Sequence, residues 1–117
     1  MSRETVNALC AALPGATVDD LLGPGHDSWK VGGKMFASIG AGSDTVSVKT
    51  DSVETATMLI DAGAARRARY FHRSWVAVPL DADPDELRHR IGVSYDLIRA
   101  KLPKAVRAGL DGQSGGS

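Results

Sequence analysis

Residues 26–51 read HDSWKVGGKMFASIGAGSDTVSVKTD. Gly32-Gly33 lies between two β-type runs, 26–31 and 34–39, and is a two-residue loop able to supply the positive φ angles of a tight hairpin turn. Gly40-Ala41-Gly42-Ser43-Asp44 makes a looser second turn into Thr45–Lys49, so the three runs are predicted to pair as an antiparallel meander. Pairing Val31 with Lys34 and Trp29 with Phe36 puts these four residues on one face, because cross-strand partners project together. Met35, Ala37 and Ile39 take the other face. If Ile39 pairs with Val46, Val48 joins the aliphatic face and Lys49 joins the aromatic one. Helices then cover the aliphatic side, and Trp29 and Phe36 stand open between Lys34 and Lys49, an arrangement suited to stacking on bases or planar ligands. A one-residue slip of the second hairpin gives the opposite result. Val46 and Val48 then join Trp29 and Phe36 in the core, with the lysines at the sheet margin. Loop length leaves both registers open.

Outward from this stretch, the first element reads as a helix capped by Ser2, with Val6, Leu9, Cys10 and Leu13 on one stripe and Pro14-Gly15 as its stop. Residues 16–22 form a weaker strand signal because of Asp19-Asp20. A second helix is predicted from Asp51, which has capping-box spacing to Glu54; Val53, Ala56, Leu59 and Ile60 make its apolar stripe and Gly63 follows its end. Residues 64–73, AARRARYFHR, either extend that helix or form a basic loop. Residues 74–80, SWVAVPL, read as a strand with Pro79 at its margin. The last helix has Asp83 as cap, Pro84 at its first position and Glu86 completing the box. Its stripe of Leu87, Ile91, Tyr95, Ile98 and Leu102 spans about 80° at ~100° per residue, and Pro103 ends it. The prediction is an α+β two-layer sandwich: an antiparallel sheet of about five strands with three helices mainly on one face. Residues 1–110 form its single domain, and 111–117, rich in glycine and serine, form a disordered tail.

The chain has 117 residues, 43% hydrophobic and 24% charged, within the ordinary range for a soluble globular domain. No apolar run approaches the ~20 residues of a membrane helix, and Glu4 and Asn7 interrupt the N-terminal segment, so neither membrane span nor signal peptide is expected. A single cysteine forms no internal disulfide, and a reducing cytoplasm is the expected compartment. Net charge is zero, but its distribution is uneven: four basic side chains against seven acidic ones over residues 1–60, ten against seven over 61–117. That asymmetry is mild.

Arg66, Arg67, Arg69 and Arg73 make the densest basic stretch, interleaved with Tyr70, Phe71 and His72. As a loop it would grip phosphates with Tyr70 or Phe71 free to stack; as a helix end its arginines would favour the C-terminal dipole. In the last helix, Arg88, Arg99, Arg90 and Lys101 flank the apolar stripe, the pattern of stems that cover a core edge. Val93 and Leu97 lie opposite that stripe, where a dimer contact would sit. His26, His72 and His89 are scattered without metal-ligand spacing, and no catalytic set or cofactor motif emerges. Cys10 falls on an apolar stripe and reads as a small buried hydrophobe.

Several of these motifs, in this order, resemble the MmcQ/YjbR family: Leu13-Pro14-Gly15 after the first helix, residues 25–37 (GHDSWKVGGKMFA), Val46-Ser47-Val48-Lys49, the segment from Tyr70 through Ser74-Trp75-Val76 to Leu80-Asp81, Ser94-Tyr95-Asp96-Leu97, and Lys101-Leu102-Pro103. The chain has Trp29 where the family commonly has Phe, and Ser74 where glycine often precedes the tryptophan. The resemblance implies a compact fold with one antiparallel sheet, described as a double-wing motif, and a DNA-binding role. On that basis Lys30, Lys34, Lys49, Arg66, Arg67, Arg69 and Arg73 are the candidate phosphate contacts of a non-enzymatic protein that needs no cofactor. The alternative is a small planar aromatic ligand held on a concave sheet by Trp29, Phe36, Trp75 and Tyr95. A monomer and a homodimer both fit the sequence.

Overall fold

Gly32 and Gly33 adopt φ of 57° and 79°, the two positive values that a tight type I′ hairpin requires. The turn joins β2 (Asp27–Val31) to β3 (Lys34–Ile39), and Val31 faces Lys34 as expected. In this computed structural model, which describes residues 1–111, the remaining elements are α1 (Arg3–Ala11), β1 (Thr17–Asp19), β4 (Thr45–Lys49), α2 (Val53–Asp61), β5 (Arg66–Arg67), β6 (Trp75–Pro79), α3 (Pro84–Ala100) and α4 (Lys104–Asp111). The expected tail over 111–117 lies, apart from the Asp111 backbone, outside the described residues.

The six strands form one antiparallel sheet in the order β1-β2-β3-β4-β6-β5. All four helices contribute to a single core: Val6 and Cys10 from α1, Ala56 from α2, Leu87, Ile91 and Tyr95 from α3, and Leu110 from α4. They pack against Val46, Val48, Val76 and Val78 of the sheet. Ser47 and Ala77 alternate with these valines and therefore face the other way.

The β3–β4 register is the first of the two weighed above, with Ala37 opposite Val48 and Ser38 opposite Ser47. The open aromatic face nevertheless does not exist. Between Trp29 and Lys30 the β2–β3 ladder shifts: Lys30 faces Met35, Trp29 faces Ala37, and Phe36 is the extra residue of a β-bulge. The bulge brings Phe36 into the helix-covered core together with Ala37 and turns Met35 to the opposite side of the sheet. Trp29 and Phe36 are 6% and 0% exposed.

The same network that buries Trp29 anchors α1. Its indole N–H donates to Asn7 Oδ1 at 2.8 Å, Asn7 Nδ2 donates to Asp27 at 2.9 Å, and Arg3 binds Asp27 at 3.1 Å and the Gly40 carbonyl at 2.8 Å. Tyr95 O–H donates to the Pro14 carbonyl, fixing the α1 exit onto α3. Burial pushes the Cys10 thiol up to about 12, so it is a neutral apolar filler at ordinary pH.

Other departures are local. The cap of α2 is Ser52, whose hydroxyl accepts from Thr55 N–H at 3.0 Å, one residue after the expected Asp51. The sixth strand is β5, drawn from the unassigned basic segment; it pairs only with Ala77 and Val76, so Pro79 lies beyond its reach and breaks no ladder bond there. Pro103 ends α3 but also starts α4, its carbonyl accepting from Arg107 N–H at 3.1 Å. Val93 and Leu97 are half-buried.

The two turn glycines make separable demands. A Cβ on Gly32 would approach Leu102 Cδ1 to 2.6 Å, whereas one on Gly33 would meet nothing within 4 Å. Gly33→Ala carries only backbone strain, about 1 kcal/mol. Gly32→Ala adds displacement of buried Leu102 and is expected to cost about 2–3 kcal/mol. Urea denaturation of the two variants measures the gap; equal losses would show that Leu102 does not pack on the turn.

Candidate functional site

The sheet face away from the helices carries small polar side chains because β3 and β4 place serine, threonine and methionine at the alternate positions. Ser38 and Ser47 are direct cross-strand partners, and Ala77 continues the same row on β6. The 66–71 segment, which begins as edge strand β5 beside β6, lines the same surface, and a concave groove of about 950 Å³ lies there. Ser38, Ser43, Thr45 and Ser47 supply hydroxyls to its lining, with His26 at one side. Arg66, Arg67 and Arg69 line it from the connection between α2 and β6. No carboxylate is among the lining residues. The described lining thus carries cations and no carboxylate, with Asp44 pairing Arg66 from outside it.

The candidate cations divide by what already holds them. Lys30 binds Asp19 at 2.9 Å, and that hydrogen bond, with help from the Leu21 N–H, pulls the Asp19 carboxyl below the usual carboxylate range. Lys49 donates to buried Ser74 Oγ at 3.1 Å; its own burial, and then the neighbouring Lys101 charge, hold its ammonium below the usual lysine range. Arg66 makes an exposed pair with Asp44 at 3.3 Å, a contact of small energetic weight. Arg67, Arg69, Arg73 and Lys34 are exposed and form no ion pair among the described residues. The structure therefore gathers Arg66, Arg67 and Arg69 at one groove.

The aromatic candidates are redistributed. Trp29, Phe36 and Tyr95 belong to the core, with Phe36 and Tyr95 edge-to-face at 5.3 Å. They cannot form a concave platform for a planar ligand. Trp75 is half-buried and stacks on Phe71 at 4.7 Å with the rings inclined by 22°. Phe71 and Tyr70 both line the groove. Tyr70 is fully exposed and has φ of 71°, a left-handed conformation that bulky residues rarely adopt and that costs about 1–2 kcal/mol.

The arginines and the availability of Tyr70 and Phe71 are legible in the sequence, whereas the floor is not among the sites expected from it. Its signal was the Thr45-Val46-Ser47-Val48 alternation, in which the polar positions mark the face without helices. Among the described residues, no three His, Cys, Asp or Glu side chains converge to hold a metal ion, and no helix is long and apolar enough to cross a membrane.

These features define an α+β domain whose helices cover one side of an antiparallel sheet and whose other side holds a basic, hydroxyl-floored groove. Residues 11–97 match the YjbR family model, and the chain belongs to the YjbR family. Its fold is similar to the crystal structure of the Deinococcus radiodurans protein DR2400, described with a DUF419 domain. The TM-score is 0.81 with 24% identity, covering 92% of this chain and 86% of that one. That likeness speaks for the fold alone. No curated protein matches the sequence.

Proposed function

We propose that this YjbR-family domain binds nucleic acid without catalysing a reaction, and that the connection carrying Arg66, Arg67, Arg69 and Arg73 supplies its phosphate contacts. One observation carries the reading: three of these arginines line a concave surface that contains four hydroxyl side chains and no carboxylate. Phosphate there meets cations and hydrogen-bond donors with no opposing charge in the lining. Arg69 and Arg66 are the principal contacts: Arg66 stands opposite Ala77 on the groove face and its exposed pair with Asp44 is of small weight, whereas Arg67 stands opposite the core residue Val76. Lys30 contributes little because Asp19 already neutralises it.

Fluorescence anisotropy of labelled DNA over a series of salt concentrations tests this. Binding is expected to weaken steeply with salt, and the Arg66→Ala, Arg69→Ala double variant is expected to reduce the log–log slope by roughly 1.4–1.8. Absence of binding at low salt, or an unchanged slope in the double variant, refutes the assignment.

A further inference from the structure

We infer that the groove is a single-strand site, in which an unstacked base lies against Tyr70 while its phosphate meets Arg66 and Arg69. This rests on the nucleic-acid reading above and narrows it to one substrate class. The cavity, at about 950 Å³, is at the scale of a pocket for a single compact ligand, and a duplex is far too wide to enter it. Duplex readers instead present a protruding helix or ribbon to a groove of the DNA. Here the cations lie along a concavity, as in proteins that track one strand.

Tyr70 favours the same ligand. It is the only large aromatic among the described residues to be fully exposed, it sits between Arg69 and Phe71 at the groove, and its backbone is held in a conformation unfavourable to its type. A solvent-facing ring kept in that state gains nothing from the core. It offers a π-face that any base can stack on. The hydroxyls of Ser38, Thr45 and Ser47, which line the same groove, both donate and accept, so they suit base edges and sugars without demanding one sequence.

The test uses the full chain and two fluorescein-labelled probes of about 12 nucleotides, a thymidine single strand and a mixed-sequence duplex, at low salt. The single strand is expected to bind at least about tenfold more tightly than the duplex. Tyr70→Gly removes the ring and suits the positive φ, so it should fold at least as well while weakening single-strand binding about tenfold. Ser47→Leu, which fills the floor and leaves every charge in place, should weaken it similarly; urea denaturation confirms that each variant is folded. If the duplex binds as tightly as the single strand, or if both folded variants keep full single-strand affinity, the inference is overturned while nucleic-acid binding stands. If neither probe binds, both the inference and the broader reading fall.

Discussion

Phe36→Ala is expected to cost about 3–5 kcal/mol of folding stability, as large-to-small changes at fully buried aromatic positions do. The ring is 0% exposed and meets Tyr95 edge-on, with an interplanar angle of 89°. Its removal opens a cavity between β3 and α3, which the buried neighbours Ile91 and Leu87 cannot fill without leaving their own contacts. An unbulged hairpin makes a different prediction: Phe36 would then stand opposite Trp29 on the uncovered face, and its truncation would cost under about 1 kcal/mol. Urea denaturation of Phe36→Ala beside Met35→Ala separates the two. Met35 lines the groove and is half-buried, so its loss is expected to be several-fold smaller. Comparable losses at both positions would mean that the bulge does not sort these side chains as described.

That comparison also locates what the sequence could and could not convey. The Gly32-Gly33 turn and the Val31–Lys34 pair follow from turn chemistry, and the structure has both. The Ile39–Val46 alignment was one of two registers that loop length left open, and the β3–β4 register is consistent with it. The error arose two residues from the turn, where one extra residue reverses the facing of Phe36 relative to an ideal ladder. A bulge has little compositional signature of its own. Its trace here is the consecutive apolar pair Phe36-Ala37, which strict alternation cannot place on one face. Placing the helices over Ala37, Ile39, Val46 and Val48 was sound for all of these but not for Met35, which lines the groove. Burial of Trp29 and Phe36 beside Val46 and Val48 matches the core of the slipped alternative, reached through a bulge at Phe36 and not through a slip of the second hairpin.

For the site, charge density exposed the arginine connection directly, because four arginines in eight residues stand out in any reading. The lysines were less readable. Lys30 and Lys49 sit at strand positions that alternation can assign to a face, but their partners Asp19 and Ser74 come from distant segments that only the folded sheet brings within 3.1 Å. The groove floor was overlooked for the opposite reason. Serine in a strand reads as ordinary solvent-facing polarity, and the concavity it lines also needs the 66–71 segment at the sheet edge, which the strand sequence does not reveal.

Ser94 shows how the bulge is sustained, and Ser94→Ala is expected to cost about 2–4 kcal/mol. The paired residues of β3 and β4 are Ala37 with Val48 and Ser38 with Ser47, so Phe36 C=O and Lys49 N–H lie just past the end of that ladder. The Ser94 hydroxyl answers both: it donates to the Phe36 carbonyl at 2.6 Å and accepts from the Lys49 amide at 2.9 Å. Ser94 is 0% exposed, so alanine would leave two backbone groups without their partner where water has poor access. The hydroxyl therefore does the work of the missing rung, and a polar residue on an otherwise apolar helix stripe is explained by the backbone it serves. Amide hydrogen exchange gives the specific readout. The Lys49 amide should lose protection in Ser94→Ala well beyond what the global loss of stability imposes, whereas the Val46 amide, three residues away in the same strand, should follow the global change. Parallel changes at both amides, or a stability loss under about 0.5 kcal/mol, would show that the strands do not depend on this bridge and that the bulge is held by packing of Phe36 alone.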